Sequence, residues 1–308
     1  MKNTFRLGIL LSCLYFFQVP VFGQQTPLFA DYYYNQVLLN PAHSGFYQDT
    51  EVILSNFGFL NQFDGSPRTF SGVISSSFYD NFIGISGGVI SDQIGVTNAT
   101  TVFASYAYKI IFDHHYNRAR WWDYNPNVLS FGLTTGVLFF NENLSELGIV
   151  DDPQFENDLN ATVPTFGFGA LFNHNKLYVG FSVQNLFSET LATDQNIAID
   201  TSFYLYGGYN WYLNRFEEFR LQPSILTKYV SGAPTQVDLN FSVNYKNIIE
   251  VGAGYRSSSS FSGLIGFHFL KNWRFAYSYN TFTGGTSPIG NTNGFILTYR
   301  GGNGFSQR

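Results

Sequence analysis

Apolar and polar residues alternate along most of this chain, in segments of about ten residues with turn residues between them. In PTQVDLNFSVNY, residues 234–245, the apolar residues Val237, Leu239 and Phe241 are separated by the polar residues Asp238 and Asn240. A period of two places the two sets on opposite faces of an extended strand. Each such segment is therefore predicted to be a β-strand with one apolar face and one polar face.

The segments predict an even number of strands and a single domain. Tilted strands of about 9–11 residues are long enough to cross the hydrocarbon layer of a bilayer, and such strands separated by turns are typical of outer-membrane barrels. No segment has a sustained helical period, and no linker is long enough to separate two domains. We therefore predict an all-β fold, a transmembrane antiparallel β-barrel of about 14 strands spanning residues 51–308. The predicted strands are 51–60, 68–78, 82–91, 99–111, 127–140, 164–174, 176–186, 201–213, 219–230, 235–246, 248–257, 260–270, 272–282 and 292–300.

The distribution of charge supports a barrel in a membrane. Charged residues make up only 12% of the chain and aromatic residues 19%, whereas about 25% of an average protein is charged. The strand charges, such as Lys228, Glu250 and Arg274, fall on the polar faces, and Arg or Lys on a lipid face at the midplane costs about 2–4 kcal/mol. In the alternative fold, a soluble β-sandwich, charged residues would be dense on those faces, which here carry Gly, Ser, Asn and Thr. The apolar faces are therefore predicted to contact lipid and the polar faces a narrow lumen.

The first 23 residues have the features of a secretory signal. Lys2 and Arg6 precede the apolar run LGILLSCLYFF, and the small-residue rule places cleavage between Gly23 and Gln24. The alternative is lipoprotein processing at Cys13, the only cysteine, but the apolar run before it is short for a signal. After Gln24 there is no apolar run long enough to predict a membrane-spanning helix.

Loop lengths predict which end of the barrel faces the periplasm. With the N-terminus in the periplasm, the connections near 79–81, 175, 247 and 271 are periplasmic, and the longer ones are exterior, as in barrels of this type. The exception is FDHHYNRARWWDYNP, residues 112–126, which parity places in the periplasm. This segment is interpreted as a periplasmic docking loop, with an aromatic interface girdle plus a solvated loop as the open alternative. Its candidate docking residues are Arg118, Arg120, Trp121 and Trp122.

The strands 219–230 and 235–246 also predict a specific pair. Directly opposed residues point the same way, so the pairing needs an even residue sum. A three-residue loop at 232–234 places Lys228 opposite Asp238. The prediction is a lumen-facing Lys228–Asp238 pair.

Several segments together resemble one family. QQTPLFADYYYNQVLLNPAHSG resembles its opening box, FDGSPRTFSGVISSSF its first hairpin, and DDPQF with KLYVGFSVQNL its middle box. LQPSILTKYVSGAPTQVDLNFSV, followed by VGAGYR, resembles its most specific box. The chain is identified by these boxes as similar to the PorP/SprF family of the type IX secretion system of Bacteroidetes-type bacteria. It departs from the family at Gln36, which replaces a Pro, and at His43, where an aromatic residue is common.

This resemblance implies a function that alternation alone does not. It implies an outer-membrane barrel that aids export or surface attachment of a cognate secreted protein, in some members an adhesin for gliding motility. The implied partners are outer-membrane lipid, the periplasmic ring and motor components of the secretion machinery, and a large secreted surface protein; no nucleic acid is expected. The last strand is similar to the assembly signal of outer-membrane proteins, through Thr292, Gly294, Leu297 and Tyr299.

The sequence offers little for catalysis or metal binding. It contains no HExxH, Gly-x-Ser-x-Gly or phosphate-loop motif. DDP at 151–153 and DHH at 113–115 are candidates for Ca²⁺ or another metal, but solvated polar loops are favoured because Ca²⁺ needs about 6–8 oxygen ligands. His268, with Ser262 or Ser278 nearby, is a weak candidate for hydrolysis. We expect no enzymatic activity, no cofactor and no metal.

The alternative function is a passive outer-membrane channel for a small or hydrophobic solute. A fourteen-stranded barrel is wide enough for a narrow lumen. Residues 24–50 are then the candidate plug, although the same segment, being periplasmic, is equally compatible with a cap over the periplasmic mouth.

Overall fold

The protein is a closed antiparallel β-barrel in its computed structural model. Fifteen strand segments form one sheet, and their pairing is continuous around the barrel. The strands are β1 Glu51–Phe57, β2 Arg68–Phe78, β3 Ile83–Ile94, β4 Thr97–Ile111, β5 Val128–Glu142, β6 Leu159–His174, β7 Leu177–Gln184, β8 Ser202–Tyr209, β9 Trp211–Tyr212, β10 Phe219–Val230, β11 Gln236–Tyr245, β12 Ile249–Arg256, β13 Ser260–Phe269, β14 Trp273–Phe282 and β15 Thr292–Arg300. The residues described are 33–58, 65–112, 125–147, 158–174, 176–187, 199–213, 218–246, 248–257, 260–282 and 291–305.

The segments β8 and β9 are two parts of one strand, which gives the 14 strands predicted. Both pair with β10 in the same register, Gly208 with Ser224 and Trp211 with Leu221. The unpaired positions between them, Tyr209 and Asn210, lie opposite Pro223 and Gln222, and Pro223 has no N–H to contribute to the ladder.

Closure occurs between the first and last strands. β1 pairs with β15 from Glu51 opposite Arg300 to Phe57 opposite Gly294. A closed barrel leaves no sheet edge unpaired, as the hydrocarbon layer requires.

The two faces are divided as the alternation predicts. In β11, Asp238 and Ser242 are buried inside the barrel, whereas Leu239 and Phe241 are about half exposed on the outside. Exposed aliphatic and aromatic side chains recur on the outside of every long strand and form an apolar belt. Within the described strands, the charged residues point inward except Arg68, the first residue of β2.

One strand boundary differs from the prediction for a clear reason. β6 begins at Leu159, not at 164, and the predicted 141–163 loop is correspondingly shorter. Here the lumen face is apolar, because Ala161 and Val163 pack against Phe140 of β5 inside the barrel. Apolar residues on the inner face and small polar residues on the outer face obscured the expected pattern.

The predicted Lys228–Asp238 register is wrong by two residues. Lys228 lies opposite Gln236, and Asp238 lies opposite Leu226. The turn is centred on Gly232 instead of Ala233: the Ala233 N–H donates to the Val230 carbonyl, and Gly232 has φ +77°. This matches a type II turn, which favours Gly at its third position.

The face assignment of the two residues is nevertheless right, since both are buried inside the barrel. Asp238 pairs with Arg256 of β12, which donates through Nε and Nη2 at 2.9 and 2.7 Å. Lys228 lies over the ring of Tyr204, 5.9 Å from its centroid.

Helical structure is confined to short pieces. They are α1 (Gln36–Leu39) and the 3₁₀ helices Pro41–His43 and Leu144–Leu147. Within the described ranges, none of the helices is long and apolar enough to cross a membrane.

Candidate functional site

Residues 33–50 are called here the plug. Residues 34–45 are largely buried inside the barrel, and residues 46–50, with Gln48 and Thr50 exposed, lead out to β1. The plug occupies the half of the lumen next to the short turns 79–82, 246–248 and 270–272, called here the short-turn end. Plug side chains or backbone atoms hydrogen-bond to nine strands, β2 to β8, β10 and β12. The segment is thus held around most of the barrel wall.

Asn40 is the centre of these contacts and has no exposed surface. Its Nδ2 has two hydrogens and lies within hydrogen-bonding distance of three acceptors: the carbonyls of Ala170 and Phe181, at 3.0 and 3.2 Å, and the Tyr206 hydroxyl, at 2.9 Å. Its Oδ1 accepts from the Ala42 N–H at 2.9 Å, which caps the 3₁₀ helix. Asn at a helix start followed by Pro is locally favoured, because Asn caps free N–H groups and Pro lacks one.

The wall supplies polar groups where the plug exposes backbone carbonyls. Ser130 donates to the Ala42 carbonyl at 2.7 Å, and Ser182 donates to the Leu39 carbonyl at 2.6 Å. A buried carbonyl without a partner costs about 1–3 kcal/mol. The serines on the inner face therefore stabilise the plug at points where it has no internal hydrogen bonds.

Glycines on the inner wall provide the space for the plug. A Cβ added to Gly84 of β3 would overlap the Ser44 carbonyl, one at Gly132 of β5 would overlap Pro41, and one at Gly169 of β6 would overlap Asn40 Oδ1. Each neighbour is buried plug structure, so it has little room to shift. The glycines predicted on the lumen face thus form a seat for the plug.

A buried histidine and a lysine hold the last part of the plug. The His43 ring lies 2.7 Å from the Tyr206 hydroxyl through Nε2. Burial, together with the charge of Lys109, lowers the pKa of His43 to about 3, so its ring is neutral at ordinary pH. The Lys109 amine donates to the Gly45 carbonyl and to Asn81 Oδ1.

The plug begins with two tyrosines at the short-turn end. The Tyr33 hydroxyl donates to Gln222 Oε1 at 2.7 Å, and the Tyr34 hydroxyl donates to Glu250 Oε2 at 2.9 Å. Burial and the neighbouring Glu250 carboxylate raise the pKa of Tyr33 well above its usual value. Tyr33 therefore stays protonated and serves as a donor.

The C-terminal residues 301–305 also pack at the short-turn end. The Phe305 N–H donates to the Lys271 carbonyl at 3.0 Å, and the Asn303 N–H donates to Asp49 Oδ2 at 3.0 Å. The Phe305 ring is buried, with Arg300 and Arg274 over it at 4.3 and 5.1 Å from its centroid.

The residues resembling an assembly signal all lie on β15. Leu297 and Tyr299 point to the outside, whereas Gly294 is buried inside. A Cβ at Gly294 would overlap the Phe57 ring. The position thus needs Gly for packing where the barrel closes.

The hydrolase candidates are not brought together. His268 is on the inner face, with its ring 4.4 Å from that of Phe305. It lies opposite Arg274, and Ser262 is six residues away on the same strand, about 20 Å at 3.3 Å per residue. Ser278 lies opposite Leu264, four residues from His268 along β13.

Other predicted residues fall outside the described residues. These are Gly23 and Gln24 of the signal cleavage, Arg118, Arg120, Trp121 and Trp122 of the docking loop, and the metal candidates at 113–115 and 151–152.

The sequence interpretation missed the role of the plug residues. In the sequence, Asn40 and His43 stand out only as parts of a family box. The Asn-Pro pair at 40–41 was the one local signal of a capped helical turn. What it contacts was not predictable, since Asn40 and Ala170 are 130 residues apart.

Comparison with solved structures finds other outer-membrane proteins at low identity. A TodX ΔS2S3 mutant monoaromatic hydrocarbon channel has 10% identity and a TM-score of 0.49, covering 86% of this chain and 94% of that one. Omp33 of Acinetobacter baumannii has 8% identity and a TM-score of 0.45, covering 83% and 100%. A FadL homologue of Pseudomonas aeruginosa has 12% identity and a TM-score of 0.45, covering 84% and 92%. No functionally curated protein matches the sequence.

The closed barrel and its apolar outer belt place the protein in the outer membrane. The family model for the type IX secretion system membrane protein PorP/SprF matches residues 21–299. Because that match covers most of the 308 residues, the chain belongs to the PorP/SprF family of type IX secretion system membrane proteins.

Proposed function

We propose that this barrel is a non-enzymatic accessory of type IX secretion that aids export or surface attachment of one cognate secreted protein. Family membership associates the chain with the secretion machinery and the outer membrane. The finer role, as an anchor with a closed lumen, is our inference.

The plug is the observation that carries this proposal. It crosses the lumen at the short-turn end and hydrogen-bonds to nine strands. Leu38, Leu39, Ala42 and Ser44 are all less than 5% exposed. A barrel wall with space and hydrogen-bond partners for a plug is better suited to a scaffold than to a channel for solutes.

The free energy of the hydrogen bonds between plug and wall also favours a closed lumen. Each buried hydrogen bond is worth about 0.5–1.5 kcal/mol net, and a carbonyl left without its donor costs about 1–3 kcal/mol. Moving the plug out breaks many such bonds at once, from Tyr34 at one end to Ser44 at the other. A passive channel would need this to happen spontaneously and often.

Deletion of the gene tests the secretory role. The surface proteome of the deletion strain, labelled on whole cells, should lack one secreted protein that the parent displays. Expression of the wild-type barrel should restore it. An unchanged surface proteome would contradict the proposal.

Conductance tests the closed lumen separately. The purified protein, inserted in planar bilayers, should show no steady ionic current, whereas deletion of residues 33–49 should produce one. Steady conductance by the intact chain would favour the channel alternative, even if display of the secreted protein were lost.

A further inference from the structure

A cavity of about 100 Å³ lies between the plug and the barrel wall at the short-turn end. Tyr33, His43 and Tyr47 of the plug line one side, and residues of β6, β7 and β10 to β15 line the other. Phe305 of the C-terminal segment completes it. The volume is enough for a small polyatomic group, since a water molecule occupies about 30 Å³ in the liquid.

Positive charge predominates around this cavity. Three guanidinium groups line it, those of Arg220, Arg274 and Arg300, against one carboxylate, Glu250. A second carboxylate, that of Glu51 on the inner face of β1, lies 2.9 Å from Arg300 and 4.0 Å from Arg274. Three cations against these two anions leave an excess positive charge around the cavity.

The hydrogen-bond donors at the cavity also exceed what the protein uses. Within the described residues, Arg274 Nε, Arg300 Nε and both ring nitrogens of His268 are buried without a hydrogen-bond partner. A neutral imidazole carries one N–H, so His268 adds one donor to those of the two arginines. Tyr34 and Phe305 cover the faces of the Arg274 guanidinium, which leaves its edge for hydrogen bonding. Buried polar groups are nearly always satisfied, by protein or by a bound species.

An unpaired carboxylate oxygen at the cavity restricts the chemical class of the species that could bind there. In the described part of the chain, Glu250 Oε1 is buried without a partner, while Oε2 accepts from Tyr34. A bound species that satisfies the whole cavity therefore has several acceptor oxygens for the arginines and one hydroxyl for Glu250. A protonated phosphate has both, whereas a carboxylate has only acceptors. Arginine also binds phosphate oxygens with favourable fork geometry.

We propose that this cavity binds a phosphate group, either free phosphate or a phosphomonoester. Arg274, Arg300 and His268 donate to its oxygens, and Glu250 accepts from its hydroxyl. The anion would contact side chains from four strands, β12 to β15, beside the plug and the C-terminal segment. The site is independent of the function proposed above.

Calorimetric titration of the purified full-length barrel in detergent, free of lipid, tests this site. Inorganic phosphate and glycerol 3-phosphate are titrated separately at fixed ionic strength, with sodium chloride and acetate as references. Saturable binding of phosphate, absent with acetate, is expected. Tighter binding of glycerol 3-phosphate than of inorganic phosphate would identify a phosphomonoester as the natural source, and its exclusion would identify free phosphate.

Two variants locate the binding. Arg274→Gln removes a cation at the cavity while Glu51 keeps its pair with Arg300, and His268→Phe removes both ring nitrogens but keeps the aromatic contact with Phe305. Each should weaken phosphate binding about tenfold or more, because a hydrogen bond to a charged group is lost. Arg256→Gln is the matched control, since it removes a partly buried arginine at the opposite end of the lumen, and should leave the affinity unchanged.

Two results would overturn the proposal. Absence of saturable binding to the folded wild type would mean that only water fills the cavity. Binding that persists unchanged in both cavity variants, with folding confirmed by heat-modifiable migration in electrophoresis, would mean that phosphate binds elsewhere.

Discussion

Replacing Asn40 with alanine should release the plug without unfolding the barrel. Three acceptors surround the Asn40 amide, but the amide has two hydrogens, so the variant loses two donor bonds and the helix cap. At about 1 kcal/mol for each, the seated plug loses about 3 kcal/mol. This corresponds to an increase of about a hundredfold in the population with the plug displaced.

Thiol labelling measures that population directly. Cys13 is the only cysteine and lies in the predicted signal, so Ser44→Cys supplies the single thiol of the mature chain. Ser44 is fully buried, and a maleimide therefore reacts only after the plug moves. The labelling rate should rise about a hundredfold when Asn40→Ala is added. Asn160→Ala, at an exposed position on β6, is the matched control and should not change the rate.

A substitution in the barrel wall should also displace the plug. Gly169→Ala adds a Cβ that would overlap Asn40 Oδ1, and it should also increase labelling of Cys at position 44. Gly263→Ala, where an added Cβ has no neighbour within 4 Å, is its control. Asn40→Ala and Gly169→Ala are each compared with Ser44→Cys alone. If neither raised the labelling rate while the barrel stayed folded, Asn40 and its contact with Gly169 would not hold the plug in place.

Three further predictions concern the wall and the pH dependence. Gly294→Val should block barrel closure because its side chain would overlap Phe57; the folded fraction in heat-modifiability gels should fall, and adding Phe57→Ala should restore part of it. Arg256→Gln should cost about 3 kcal/mol in urea unfolding, because the buried Asp238 loses its cationic partner and keeps the hydrogen bond from Gln236, and a change below 1 kcal/mol would show that the pair is not structural. The pKa of His43 is lowered from 6.5 to about 3 in the seated plug, so the displaced plug binds the proton more tightly; the contribution of His43 to seating should be constant above pH 6.5 and weaken by about tenfold per unit below it, down to about pH 3. Open events in bilayers at pH 5 against pH 7.5 check this, and His43→Gln should flatten the dependence.

The strands and their faces were predictable because the signal is local. In β11 and in Trp273–Phe282, each residue's neighbours two positions away already show which face is apolar. β6 was the exception, since Ala161 and Val163 face an apolar patch inside the barrel. The Lys228–Asp238 register was wrong because a five-residue connection allows more than one turn centre, and only the left-handed conformation of Gly232 fixes it.

By itself, the sequence determined the barrel, its strand count, the apolar outer face and the resemblance to one family. All of these follow from a period of two, from charge placement and from boxes of contiguous residues. The tertiary structure decided the rest: that the plug occupies the lumen at the short-turn end, that inner glycines and serines form its seat, and that three arginines from β10, β14 and β15 line one cavity. The reason is distance along the chain, since Asn40 contacts Ala170 and Tyr34 contacts Glu250, 130 and 216 residues away. Such contacts exist only once the closed barrel brings its wall around the plug.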